Sequence, residues 1–183
     1  SCDGLGVRQF IDAKRVIPDA SLALSEGAIQ GWDRRNVYYF HLLSAVAKHY
    51  GFALDTPFEA LSKKHRDIVL LGSGATEINF SYRTERGSIL RREYPFEGVV
   101  PNMERRYRDT ESQSVREDLA RFLSTAPCPG CHGTRLCEDA RHVYVDERTL
   151  PSITGLPVGE ATAYFDQLEL SGRNAAIAEK IFK

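Results

Sequence analysis

No run of about 18 apolar residues occurs anywhere in the chain, so the sequence offers no membrane-spanning helix. The first ten residues, "SCDGLGVRQF", lack the basic-then-apolar order of a secretion signal, and a soluble, cytoplasmic protein is the expectation. Neither a phosphate loop of the form G-x-x-x-x-G-K-[ST] nor an "LSGG" signature is present. Two near-misses fail for physical reasons. "GSGATE" at 72–77 has glycines but no following Lys to meet a phosphate and reads as a turn, and "LSGRN" at 170–174 stops after one glycine and reads as a helix boundary. His41, His49, His65, His132 and His142 show neither metal-ligand nor triad spacing, and no nucleophile has an evident base. The chain is therefore expected not to be an enzyme by itself. Internal repeats and low-complexity linkers are also missing.

The rest of the composition is that of an ordinary globular protein. In 183 residues, 42% are hydrophobic and 27% charged, enough for one domain with a sizeable core, or one domain and pieces of a neighbour. A formal net charge of −1 decides nothing about nucleic acid, because a basic face can be balanced elsewhere. The kind of base is more informative: 18 Arg stand against 6 Lys, and Arg is the side chain that forks onto phosphates and stacks on bases.

Along the chain, "LGVRQFIDAKRVI" at 5–17 alternates as an extended segment ending at Pro18. Asp33 is placed to cap a helix over "RRNVYYFHLLSAVAKHY", with Tyr39, Leu43, Val46 and Tyr50 on one stripe, Lys48 and His49 in the last turn, and Gly51 as the stop. "RDIVLLGSG" reads as a short buried strand, and "EINFSYRTERGSILRREY" as a β-hairpin around "TERG". A helix is expected from Pro101, and Thr110 with Gln113 fits a capping box for another carrying Val115, Leu119, Phe122 and Leu123. Further on, "RHVYVDE" reads as a strand, "LPSITGLP" as a loop, and the stretch from Val158 as two helices broken near Ser171 and Gly172. These elements compose an α+β fold: a small domain of mixed helices and an antiparallel hairpin, plus a helical flanking segment.

Cysteine is scarce: Cys2, Cys128, Cys131 and Cys137. A C-x-x-C on a turn aims two thiolates at one metal, yet the same spacing serves redox pairs or two buried thiols. Redox pairs usually open a helix in a βαβ setting, whereas "CPGCHGTRL" is expected to follow a helix and precede a strand, with glycines that favour a metal knuckle.

"CDGLG" at 2–6 has the form of the second half of a C-x-x-C-x-G-x-G knuckle, and "CPGCHGTRL" has the form of its partner. With "GAIQGWDRRN", "PFEGVVPNMERRYRDTES", "VREDLARF" and "NAAIAEKIFK", they closely resemble the UvrA family, damage-recognition ATPases of bacterial excision repair, along essentially the whole chain. The resemblance implies residues 1–6 as a partial zinc knuckle, 7–126 as an inserted domain, and 127–183 as the second knuckle and the start of signature-region helices. It implies zinc on Cys2, Cys128 and Cys131, with a fourth ligand three residues before Cys2, outside this chain. Cys137 departs from the family pattern. The resemblance further implies that the parent is a homodimeric ABC-type ATPase using ATP and Mg outside this segment. That parent would load a UvrB-like helicase onto damaged double-stranded DNA in nucleotide excision repair.

Residues 83–108 form the most basic stretch, seven arginines against Glu85, Glu93, Glu97 and Glu104. Arg83, Arg86, Arg91, Arg92, Arg105, Arg106 and Arg108 are thus the candidate DNA-binding residues, since distorted DNA is recognised through its backbone. The run "MERRYRDTES" reads equally as an ion-paired surface. Trp32 reads first as a core residue and second as a flat aromatic for DNA. Arg34 and Arg35, in a first helical turn, call for a partner such as Asp33. Two other functional classes stay open: a protein-interaction or spacer domain that positions neighbouring DNA-binding regions, and a zinc-knuckle chaperone or redox module.

Overall fold

The computed structural model describes residues 2–83 and 89–181. The chain divides into two compact units, Gln9–Ser124 and a second made of Ser1–Arg8 with Thr125–Lys183. Strand β1 (Val7–Ile11) ends where the Asp12 carboxylate accepts the Lys14 N–H at 2.9 Å and caps the single turn α1 (Ala13–Val16). The extended segment expected over 5–17 is therefore corrected in its second half. An Asp that binds nearby backbone N–H groups favours a cap over a strand interior.

Helix α2 (Val37–Tyr50) begins later than expected, because Asn36, not Asp33, is its cap, accepting the Tyr39 N–H at 3.4 Å. Asp33 is occupied otherwise: it takes the Arg35 N–H at 2.9 Å and the Arg35 guanidinium. Leu42, Leu43, Val46 and Ala47 form the buried stripe, and Gly51 in the left-handed region ends the helix. The expected strand at "RDIVLLGSG" is instead helix α3 (Lys63–Leu71), opened by Ser62, whose hydroxyl accepts the His65 N–H at 3.2 Å. Only Ile68 and Val69 are buried there, while Leu71 is exposed, which is one face of a helix. A short apolar run cannot by itself separate these two outcomes.

Strands β2 (Glu77–Arg83) and β3 (Ile89–Pro95) pair antiparallel as a hairpin, in a register that sets Phe80 opposite Arg92 and Ser81 opposite Arg91. Helix α4 (Val99–Asp109) starts two residues before Pro101, which is tolerated because first-turn N–H groups need no intrahelical partner. The turns on either side require glycine. A Cβ on Gly72 would lie 2.6 Å from the Phe96 and Glu97 carbonyls, and one on Gly98 2.5 Å from the Gly72 nitrogen. Helix α5 (Gln113–Ala120) is capped by Ser112 in place of the expected Thr110, and Phe122 and Leu123 lie beyond its end.

Strand β4 (Leu123–Pro127) pairs with β1. Asp12 ties their junction, donating its N–H to the Phe122 carbonyl at 2.8 Å and accepting Ser124 Oγ at 2.9 Å. Within Gln9–Ser124 the core is built from Val16, Leu24, Ile29, Trp32, Leu43, Val46, Val69, Ile78, Phe80 and Val99. Trp32 is 1% exposed, stacks on Tyr39 at 4.2 Å and meets Phe96 edge-on at 6.3 Å. It is a core residue, not a surface for DNA.

The second unit is built of shorter pieces. The cysteine pair follows β4, not a helix, and leads first into the helical turn α6 (Glu138–Arg141). The strand expected at "RHVYVDE" is a two-residue strand, β5 (Tyr144–Val145), which turns at Asp146 into β6 (Arg148–Thr149). "LPSITGLP" is not a loop throughout: Thr149 caps α7 (Leu150–Thr154), with Pro151 in its first turn, where proline is preorganised. Helices α8 (Val158–Asp166) and α9 (Gly172–Ile181) are broken where expected.

Candidate metal centre and nucleic-acid interface

Two facing turns bring three sulfurs together. β4 delivers Cys128, whose N–H donates to the Gly6 carbonyl at 2.9 Å, and the Leu5 N–H closes a turn on the Cys2 carbonyl at 2.8 Å. After Cys131 the chain bends through His132 and Gly133 at positive φ, held by the Thr134 N–H and hydroxyl on the Cys131 carbonyl at 3.0 and 2.6 Å. The approach is close enough that a Cβ on Gly6 would lie 2.9 Å from the Gly133 carbonyl.

The Sγ atoms of Cys2, Cys128 and Cys131 all lie within 4.8 Å of one another, with Cys2 and Cys131 at 3.7 Å. Tetrahedral zinc at a Zn–S distance of about 2.3 Å separates its sulfurs by about 3.8 Å, so this donor set fits such an ion. Cys128 and Cys131 are buried and Cys2 half-buried, while Cys137 is exposed and outside the group. The Gly6 backbone favours the Cys2 thiolate, but the adjoining Cys128 and Cys131 thiols and burial outweigh it and hold the thiol above its ordinary value. A dication among the sulfurs reverses that balance, because it favours the thiolate outright. Cys2, Cys128 and Cys131 therefore lie close and can bind a metal ion.

The candidate arginines separate into different situations. Arg86 lies outside the described residues, and Arg83 ends β2, its side chain likewise outside them. Arg91 and Arg92 are exposed on β3, but successive strand residues face opposite ways, so they do not form one edge. Arg105 grips Glu97 through two hydrogen bonds of 2.7 and 2.9 Å. This pairing, helped by Asn102, lowers the Glu97 carboxyl below its usual range and raises Arg105. Arg106 lies over the Tyr39 ring at 5.4 Å, and Arg108 pairs with Asp109 at 2.9 Å. Arg34 and Arg35 find Asp55 and Asp33. Lys48 and His49, read in the sequence only as last-turn charges, stand with His41 across a groove from Arg91. The signal that could have found them is the absence of any acidic residue from α2.

An α+β chain of this kind, with a three-cysteine cluster in one unit and a basic hairpin in the other, matches the family model described as the UvrA DNA-binding domain over residues 12–121. The chain belongs to that family. Its relatives include the UvrABC system protein A of Pseudomonas aeruginosa, 59% identical over 183 residues that are all of this chain and 19% of that protein. Those of Pseudomonas putida and Vibrio cholerae are 58% and 53% identical over the same span, which is 19% and 20% of their lengths. The crystal structure of UvrA2 from Deinococcus radiodurans shares the fold, with a TM-score of 0.63 at 20% identity over 93% of this chain and 22% of that one. The chain thus spans about a fifth of the length of the curated relatives it matches. Among the described residues, no helix is long and apolar enough to cross a membrane.

Proposed function

We propose that this chain is the DNA-engaging segment of a UvrA-like protein of nucleotide excision repair, contributing to the binding and inspection of damaged double-stranded DNA. The observation that carries the reading is the pair of exposed arginines Arg91 and Arg92, which make no ion pair among the described residues, on a hairpin inside the region that matches the family model. Zinc held by Cys2, Cys128 and Cys131 would pin the turns on which the second unit is built, a structural role. Residues 7–126 act as an inserted domain between the two knuckles at 1–6 and 127–183. In the longer protein, ATP and Mg, homodimerisation, a UvrB-like helicase and a cytoplasmic setting belong to this reading.

By itself the chain binds duplex DNA weakly and without sequence preference, with affinity falling steeply as salt rises. Titrating a labelled duplex across a range of salt tests this. Absence of binding at low ionic strength, or binding indifferent to salt, overturns it. A second reading has an observation of its own: Arg105 and Arg108 are satisfied by Glu97 and Asp109, as in a spacer that positions neighbouring DNA-binding regions. Charge reversal at Arg91 and Arg92 separates the two. The DNA reading requires lost retention with folding intact, and the spacer reading requires no loss.

A further inference from the structure

Helix α2 contains no Asp or Glu between Val37 and Tyr50. His41, Ser44, Ala45 and Lys48 follow one another at helical spacing, so they form one stripe along its surface. That stripe, with His49, is one wall of a groove of about 630 Å³. The other wall belongs to the hairpin and includes Asn79, Ser81 and Arg91. The register explains why Arg91 belongs there and Arg92 does not. Ser81 stands opposite Arg91 and Asn79 opposite Glu93, and cross-strand partners share a face. Arg92 stands opposite the buried Phe80, on the other face.

The groove's charge is one-sided. No carboxylate is among the described residues that line it. Lys48 and Arg91 are exposed, and neither makes an ion pair among the described residues. The acids on the same strand face, Glu93 and Glu77, lie farther along the hairpin from its Arg91 end, with Glu93 accepting from Asn79 Nδ2 at 3.1 Å. We propose that this groove is a track for the phosphate backbone of DNA. Lys48 and Arg91 supply fixed charge from opposite walls, and the side chains of His41, His49, Asn79 and Ser81 supply hydrogen-bond donors.

Two features favour a polymer over a small anion. Every donor named is exposed, so a single phosphate would gain only the weak attraction of solvated pairs. A strand of phosphates gains by releasing a condensed counterion at each contact, which needs no burial. The inference rests on the DNA-binding reading and narrows it from the hairpin pair Arg91 and Arg92 to the groove between helix and hairpin that Arg91 alone of the two lines.

The test measures affinity for a short labelled DNA duplex as a function of salt, using the whole chain. Lys48→Ala combined with Arg91→Ala is expected to weaken binding about tenfold at low salt and to make the slope of log affinity against log salt shallower by about two. Glu93→Gln, which removes a competing charge, is expected to tighten it. Lys63→Ala, on α3 and paired with Asp67, serves as the control and is expected to leave both readouts unchanged. If the wild-type chain binds duplex but the double variant keeps its affinity and slope, the groove is overturned while the DNA reading stands. If the wild-type chain binds no duplex at low salt, the DNA reading itself fails. Inorganic phosphate, followed through the ring resonances of His41 and His49, is expected to give no saturable shift. A saturable shift would make this a small-anion site and overturn the track.

Discussion

The two units hold themselves together by different means. Gln9–Ser124 buries a connected set of large side chains, with Trp32, Phe80, Leu24, Ile29 and Leu43 each almost fully enclosed. In the unit made of Ser1–Arg8 and Thr125–Lys183, the buried hydrophobic side chains among the described residues are Cys128, Cys131 and Ile153. Helices α8 and α9 bury none of their described residues, and Val158 and Ile181 are exposed at 84% and 68%. So few buried side chains contribute little apolar stabilisation, and small units of this kind commonly rely on a disulfide or a metal. The three cysteines that can bind a metal ion lie in this unit. The contrast teaches that element length does not decide burial: α9, with 10 residues, buries none of its side chains, α3, with 9, buries Ile68 and Val69, and the turns of the second unit converge on sulfur.

The sharpest way to break that contrast is to act on the cysteines. Cys128→Ser, or exhaustive chelation, is expected to abolish bound metal and to erase amide protection at residues 2–6 and 128–134. Protection in α2 and β2 should persist. Metal binding at such a site is folding energy, and complete four-ligand zinc sites reach roughly 10–16 kcal/mol, which is the ceiling for these three cysteines. Unchanged exchange at those turns in metal-free protein would show that the cysteine unit holds itself by other means.

The converse experiment acts on the packed unit. Trp32→Ala is expected to cost about 3–5 kcal/mol in urea unfolding, the usual price of emptying an aromatic site. Metal retention at the cysteines should be unaffected. Trp32→Phe should cost less than its lost volume suggests. The indole Nε1 is buried without an acceptor among the described residues, and removing an unsatisfied N–H recovers roughly 1–3 kcal/mol. A Trp32→Phe loss as large as its lost volume predicts would show that the indole N–H is satisfied after all.

Several elements of the fold are legible in the sequence, and the exceptions are instructive. The α2 stripe, the hairpin and the break at Gly172 follow from periodicities and turn residues that act locally. The pairing of Cys2 with a knuckle 126 positions away rested on resemblance alone, since spacing says nothing about which distant turns face each other. α3 was read as a strand because "IVLL" is apolar on every side, and only the packing of Ile68 and Val69 with Leu71 left outside reveals the helix. The helix caps lie at Asn36 and Ser112 and not at Asp33 and Thr110 for one shared reason: several hydroxyl, carboxylate or amide side chains within a few residues can each cap, and the partners each finds in the fold choose among them. Closeness in sequence makes the seven arginines one candidate set. Register and ion pairing separate them, and neither is visible without the fold.

The smallest expected effect concerns acid. The carboxylates held below their ordinary range, Asp12, Asp19, Asp33 and Glu97, all belong to Gln9–Ser124. For Asp33 the main cause is the Arg35 guanidinium, followed in the same direction by the Arg35 backbone N–H, with burial opposing both. A carboxyl depressed in the folded state contributes stability that is fully present above its unfolded value, about 3.9, and is lost as pH falls through the folded one. Asp33→Asn removes that contribution, so its Tm should lie about a few degrees below wild type at neutral pH, and the two should converge as pH drops below 4. Arg35 is 90% exposed, so added salt should narrow the gap at neutral pH. A gap that stays constant from neutral pH to below 4 would mean that Asp33 acts through shape and backbone hydrogen bonding, not through its charge.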